Sequence, residues 1–117
     1  MEIKDKDGNL IYSLKFAPHG EKRNLNATKE ELEAADLVLS MLPPSDDYDI
    51  VRKSDAYITV VKGEWDIARI KFTDRAHWII LPLIDVGNKK RLIEQVDDIK
   101  QFEGDILKTY EHIVKYS

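Results

Sequence analysis

At 117 residues, with 43% apolar and 34% charged side chains, the chain has the composition of one globular domain with apolar material for a single core, and not that of a disordered segment. It contains no cysteine, which excludes a disulfide framework, a thiolate metal site and a cysteine nucleophile. The net charge of −4 argues against bulk electrostatic binding of nucleic acid but leaves room for a local basic face.

The first nine residues, MEIKDKDGN, are polar and hold no apolar signal core. No run approaches the roughly 18 apolar residues of a membrane span. A cytoplasmic chain without a membrane partner is therefore expected, and the Asn26-Ala27-Thr28 sequon is read as chance. His19, His77 and His112 share no ligand spacing, so neither a metal nor a cofactor is expected.

Glu2 to Phe16 reads as a β-hairpin turning at Asp7-Gly8-Asn9, where Gly8 and Asn9 tolerate positive φ. Leu10, Tyr12, Leu14 and Phe16 then mark its more apolar face. Ala17 to Asn26 reads as loop. A helix is predicted from Thr28 to Leu42, with Thr28 and Glu31 as a capping box and Leu32, Ala35, Val38, Leu39 and Leu42 as its apolar stripe. Pro43-Pro44 ends it. After the acidic connector Ser45 to Asp49, Ile50 to Ser54 reads as a short edge strand.

The stretch from Tyr57 to Leu83 is dominated by β-branched and aromatic residues, with turn signals at Lys62-Gly63-Glu64 and Thr73-Asp74-Arg75. This predicts three antiparallel strands over 57–61, 65–72 and 77–83. Gly87-Asn88 breaks the chain, and both strand and helix periods fit 91–96. Asp97 or Asp98 can cap a final helix striped by Ile99, Phe102, Ile106, Tyr110, Ile113 and Val114, with a kink expected at Gly104. The fold class that follows is α+β. It is a single-domain two-layer sandwich, an antiparallel sheet of the N-terminal hairpin plus a three- or four-stranded meander, with two helices on one face.

From Lys29 to Tyr116 the elements are an amphipathic helix, the strand pair YITVVKGEWDIARIKF, then WIILPL, RLIEQV and the helix DDIKQFEGDILKTYEHIVKY. This order resembles a small bacterial domain of unknown function, the DUF5655-like group. The resemblance rests on element order and hydrophobic pattern and leaves the N-terminal hairpin outside. It implies a domain found alone or attached to nuclease-type proteins of defence systems, and it assigns no catalytic residue.

Strand register decides which side chains are available for binding. With Phe72 opposite Trp78, the core face holds Ala68, Ile70, Phe72, Trp78 and Ile80. Arg69, Lys71 and His77 then share the outer face with Trp65, Ile67 and Ile79, and a one-residue change in either loop exchanges the two sets. A face with Arg69, Lys71, His77 and an aromatic such as Tyr57 or Trp65 suits stacking and backbone contacts to single-stranded nucleic acid. The plain alternatives are a solvated face, with the Arg69 and Lys71 stems lying over Ile67 and Ile79, or a face partly covered by the N-terminal hairpin.

A nuclease core with a metal held by clustered carboxylates would want an acid two residues before Lys71, where Arg69 stands. No nucleophile elbow, P-loop or dinucleotide fingerprint is present. Lys89-Lys90-Arg91 could reach phosphates, or form a solvated loop after a turn. Tyr57, Trp65, Ile67 and Ile79 amid charges also have the make-up of a protein interface. The expected function is a small interaction domain without catalytic activity that binds a protein partner, a second copy included. A single-stranded nucleic-acid binder is the alternative, and a degenerate nuclease-like domain comes third.

Overall fold

The computed structural model describes residues 2–4, 10–13, 27–54, 56–85 and 87–116, and of 2–4, 10–13 and 53 the backbone alone. The element order is β1 (Glu2–Lys4), β2 (Leu10–Ser13), α1 (Lys29–Ser40), β3 (Tyr48–Ser54), β4 (Tyr57–Lys62), β5 (Trp65–Phe72), β6 (His77–Ile80), β7 (Arg91–Leu92), a 3-10 helix (Val96–Phe102) and α2 (Glu103–Tyr116). This is the expected α+β class. The sheet is a five-stranded antiparallel meander in the order β3-β4-β5-β6-β7. Strand β3 begins two residues before the predicted edge strand, and the ambiguous 91–96 segment contributes two residues of strand.

The N-terminal hairpin forms its own two-stranded sheet rather than extending the meander, and β2 lies beside α1. Its turn at Asp7-Gly8-Asn9 and the continuation to Phe16 lie outside the described residues. No helix among the described residues is long and apolar enough to cross a membrane.

Helix α1 starts as predicted. Thr28 Oγ1 accepts the amide of Glu31 at 3.1 Å, and the Glu31 carboxylate accepts the amide of Thr28 at 2.8 Å. Leu32, Ala34, Ala35 and Val38 are buried, and the two alanines let the helix approach β4 and β5 closely. The final helix is not α throughout. Its first seven residues are 3-10, a long run for that form. The Asp98 carboxylate holds their start by accepting the amides of Glu94 and Gln95. Winding changes to α at Glu103, just ahead of the kink expected at Gly104. Ile99, Ile106 and Ile113 reach the core, whereas Val114, predicted for the same stripe, is 52% exposed. Both helical elements cover one face of the meander, α1 touching the 3-10 helix and α2 touching β5.

Two features of the meander overturn the predicted face assignment. Phe72 pairs with His77 and Lys71 with Trp78, one residue away from the expected register. The four-residue loop 73–76 sets this: Thr73 donates its amide to the Ala76 carbonyl, while its hydroxyl accepts the amides of Arg75 and Ala76. His77 and Ile79 therefore lie on the helix-covered face, and Trp78 and Ile80 on the other.

The second feature is a bulge in β5. Val60 pairs with Ala68 and Val61 with Asp66, so Ile67 is an extra residue. Ile67 and Ala68 both point into the core at 0% exposure. Parity changes at that point, which carries Trp65 to the helix side, where its ring meets His112 of α2 at 5.9 Å.

Candidate functional site

The corrected register builds the outer face in rows. Val51, Thr59, Arg69 and Ile80 follow one another across the sheet, and beside them run Lys71, Trp78 and Leu92. Tyr57, at the start of β4, continues this second row. Its ring meets Trp78 edge-on, centroids 6.0 Å apart, and carries the Arg69 guanidinium at 5.6 Å. Lys90 places its ammonium 5.1 Å from the Trp78 ring centre.

Much of this face is closed rather than solvated. Trp78 is 6% exposed, and Thr59, Val61 and Ile80 are buried with it. Arg69 is held on both sides. Asp66 accepts from its Nη2 at 3.1 Å and from its Nε at 3.4 Å, and Asn88 of the loop before β7 accepts from its Nη1 at 3.1 Å. An i, i+3 ion pair is foreign to a regular strand, where the two side chains point to opposite faces; the Ile67 bulge brings Asp66 and Arg69 to one face. That loop turns back at Gly87 and Asn88, which both have positive φ, 76° and 55°.

What remains accessible is the end of the second row. Leu92 is 78% exposed on a two-residue edge strand, across from Trp78. Lys89 and Lys90 are exposed and Lys71 is half-buried. Among the described residues none of these three lysines makes an ion pair, whereas Lys62 is bound to both carboxylate oxygens of Asp47 at 2.8 and 2.9 Å. The result is an exposed leucine across from Trp78, which has Lys71 beside it on the next strand and Lys90 over its ring.

The predicted site residues thus separate. Tyr57, Arg69 and Lys71 share the outer face as expected, joined by Lys90, whereas the charge of Lys89 acts on Asp85. Trp65 and His77 do not. His77 stacks on Phe72 on the helix-covered side, ring centres 4.1 Å apart and planes within 8°. Arg91 is tied into the scaffold: Asp85 accepts from its Nε at 2.7 Å and its Nη2 at 2.8 Å, and Asp105 of α2 accepts from its Nη1 at 2.7 Å. The guanidinium also covers the Phe102 ring at 4.9 Å. Hydrogen bonding from Arg91 holds the Asp85 carboxyl below the usual carboxylate range.

A second concave surface was not foreseen. Between α1 and the start of the 3-10 helix runs an open groove of ≈ 490 Å³. Leu37, Phe72 and Val96, all packed against the core, supply its apolar lining, and Glu30, Glu33, Asp36 and Asp97 surround them. The signal for its α1 wall was present in the spacing. Glu30, Glu33, Leu37 and Ser40 follow one another at helical intervals along the edge of α1's core-facing stripe. Its other wall depends on how the 3-10 helix docks, which no local pattern announces. Among the described residues, no group of histidine and carboxylate side chains is placed to hold a metal ion.

Comparison with family models, with curated proteins and with solved structures found no match to this chain.

Proposed function

We propose that this chain is a protein-interaction domain that performs no chemistry of its own, and that it binds through the patch around Leu92. The observation that carries the reading is the exposure of Leu92 at 78%, across from buried Trp78, which Lys71 faces on the next strand and Lys90 covers. An apolar centre with a charged rim is the make-up of a small protein contact surface. A two-residue edge strand offers little backbone for strand addition, so the side chains must supply the recognition. The lysine rim favours a partner surface that is apolar with carboxylates around it, and a second copy of the chain falls within that class.

The nucleic-acid alternative draws support from the same free lysines but loses its stacking rings. Trp65 and His77 belong to the opposite face, and Trp78 is buried with Tyr57 and Lys90 already against it.

The test places a photoreactive phenylalanine analogue at position 92, and as a control at exposed Lys108 on α2, in cells that make the protein. Discrete protein adducts from position 92 alone, lost with Lys71→Glu/Lys90→Glu, are expected. Identical adducts from both positions, or none from 92, would overturn the reading. Titration of labelled single-stranded oligonucleotides at low and moderate salt separates the alternative, since phosphate contacts weaken steeply with salt.

A further inference from the structure

We infer that the groove between α1 and the 3-10 helix is a second docking site, and that its occupant is a basic segment of another protein carrying an apolar anchor residue. The inference stands apart from the Leu92 patch. The groove lies on the helix side of the molecule, has the opposite charge, and is lined by none of the same residues.

The chemistry of the walls selects the occupant. Among the described residues, four carboxylates line one open groove, and no cationic side chain lines it with them. Among the described residues, Glu33 and Asp97 have loose, exposed partners, Lys29 at 3.8 Å and Lys100 at 3.7 Å. Such solvent-exposed pairs contribute little and give way readily to a better partner. Glu30 and Asp36 make no ion pair among the described residues. The walls therefore repel an acidic ligand and attract lysine and arginine.

The floor sets the second requirement. Leu37, Phe72 and Val96 are only partly buried, so an aliphatic or aromatic side chain entering between them removes apolar surface from water on both partners. Its volume of ≈ 490 Å³ lies within the span of about 300–1,000 Å³ common for binding clefts. A small cation would leave the floor unused, and a purely apolar helix would leave the carboxylates uncompensated. A segment that alternates basic and apolar residues satisfies both.

The test uses the full chain labelled with ¹⁵N and a synthetic peptide of alternating lysine and leucine. The control peptide has glutamate at every lysine position. Amide shifts are followed at about 50 mM and at physiological salt, where the Debye length falls to about 8 Å. Saturable shifts confined to residues 30–40, 72 and 95–97, absent with the glutamate peptide, are expected. Glu33→Lys/Asp36→Lys should bind at least about tenfold more weakly, a loss of about 1.4 kcal/mol. Asp97→Lys tests the opposite wall independently, and a dispersed spectrum shows that each variant is folded. Shifts scattered over the surface, no saturation, or equal binding by the variants would overturn the inference. The Leu92 patch serves as an internal control: Leu92→Ser should bind the lysine–leucine peptide unchanged, so either reading can fail without the other.

Discussion

The backbone N–H of Phe72 donates to the carboxylate of Glu31 at 3.1 Å, across 41 positions of sequence. In return the hydroxyl of Thr28 donates to the Phe72 carbonyl at 2.6 Å. Strand β4 ends before it can reach Phe72, whose backbone groups on that side would otherwise lack a strand partner. The capping box of α1 takes them up, so one local motif both starts the helix and fastens it to the end of β5. Glu31 is only 3% exposed as a result.

Glu31→Ala is expected to cost about 2–3 kcal/mol, because two amides lose a charged acceptor and hydrogen bonds to charged groups contribute about 1.5–3 kcal/mol. Thr28→Ala should cost about 1 kcal/mol, the usual loss for a helix cap. Urea unfolding of both variants and of the double variant should reveal strong non-additivity, since the residues act on the same two backbone segments. Additive losses would show that helix start and strand end are independent.

Arg91→Lys should be destabilising by about 1–2 kcal/mol, because a lysine cannot reproduce the forked contact to Asp85 while reaching Asp105. The pH dependence carries a sign. Asp85 has its folded-state pKa lowered, first by the hydrogen bonds from Arg91 and further by the Arg91 and Lys89 charges, with burial opposing. Its contribution is therefore fully present above the unfolded value of about 3.9 and is lost as pH falls through the lower folded value. The wild type should lose stability more steeply than Arg91→Lys on acidification below about pH 4, as read from thermal melts at stepped pH. Equal slopes would mean that Asp85 gains nothing from Arg91.

Deleting Ile67 should leave Trp65 and Asp66 on their present faces. Ile67→Ala removes a fully buried side chain and should cost about 2–5 kcal/mol. Deletion removes that side chain together with the extra residue, and Val60 opposite Ala68 and Val61 opposite Asp66 then continue as a regular ladder, with Trp65 still on the helix side and Asp66 still beside Arg69. Both variants should keep a cooperative unfolding transition at lower denaturant than the wild type, and both should keep the Trp65–His112 ring contact as an Overhauser cross-peak. Loss of that cross-peak in the deletion variant alone would contradict the bulge.

Leu92→Ser should leave stability within about 0.5 kcal/mol, since the side chain is 78% exposed. The same change should abolish adducts formed from a photoreactive residue at exposed position 89. Retained adducts would place the contact elsewhere.

The elements that carried their own local signal were legible in the sequence. Thr28 and Glu31 announce the start of α1, Pro43-Pro44 its end, and the two-residue turn at Gly63-Glu64 joins β4 to β5 as the glycine suggested, with Gly63 at φ 57°. What was not legible depends on counting across a loop or on distant partners. Whether Phe72 faces His77 or Trp78 turns on one residue of the 73–76 loop. Ile67 reads as an ordinary alternating residue until Val61 is seen opposite Asp66. Arg91 looks like the end of a basic run, because its true partners, Asp85 and Asp105, lie 6 and 14 residues away. Of the candidate site, the lysines were visible from the sequence. The exposure of Leu92 and the second wall of the acidic groove were not, since both arise from how β7 and the 3-10 helix dock.

Both proposed surfaces rest on the division of the meander into a helix-covered face carrying Trp65, Phe72 and His77 and an outer face carrying Lys71, Trp78 and Leu92. Nuclear Overhauser spectroscopy of the aromatic rings tests that division most directly. Cross-peaks between Phe72 and His77 and between Tyr57 and Trp78 are expected, from ring centres 4.1 and 6.0 Å apart. Cross-peaks joining Phe72 to Trp78, with His77 beside Arg69, would contradict it and return Trp78 to the core.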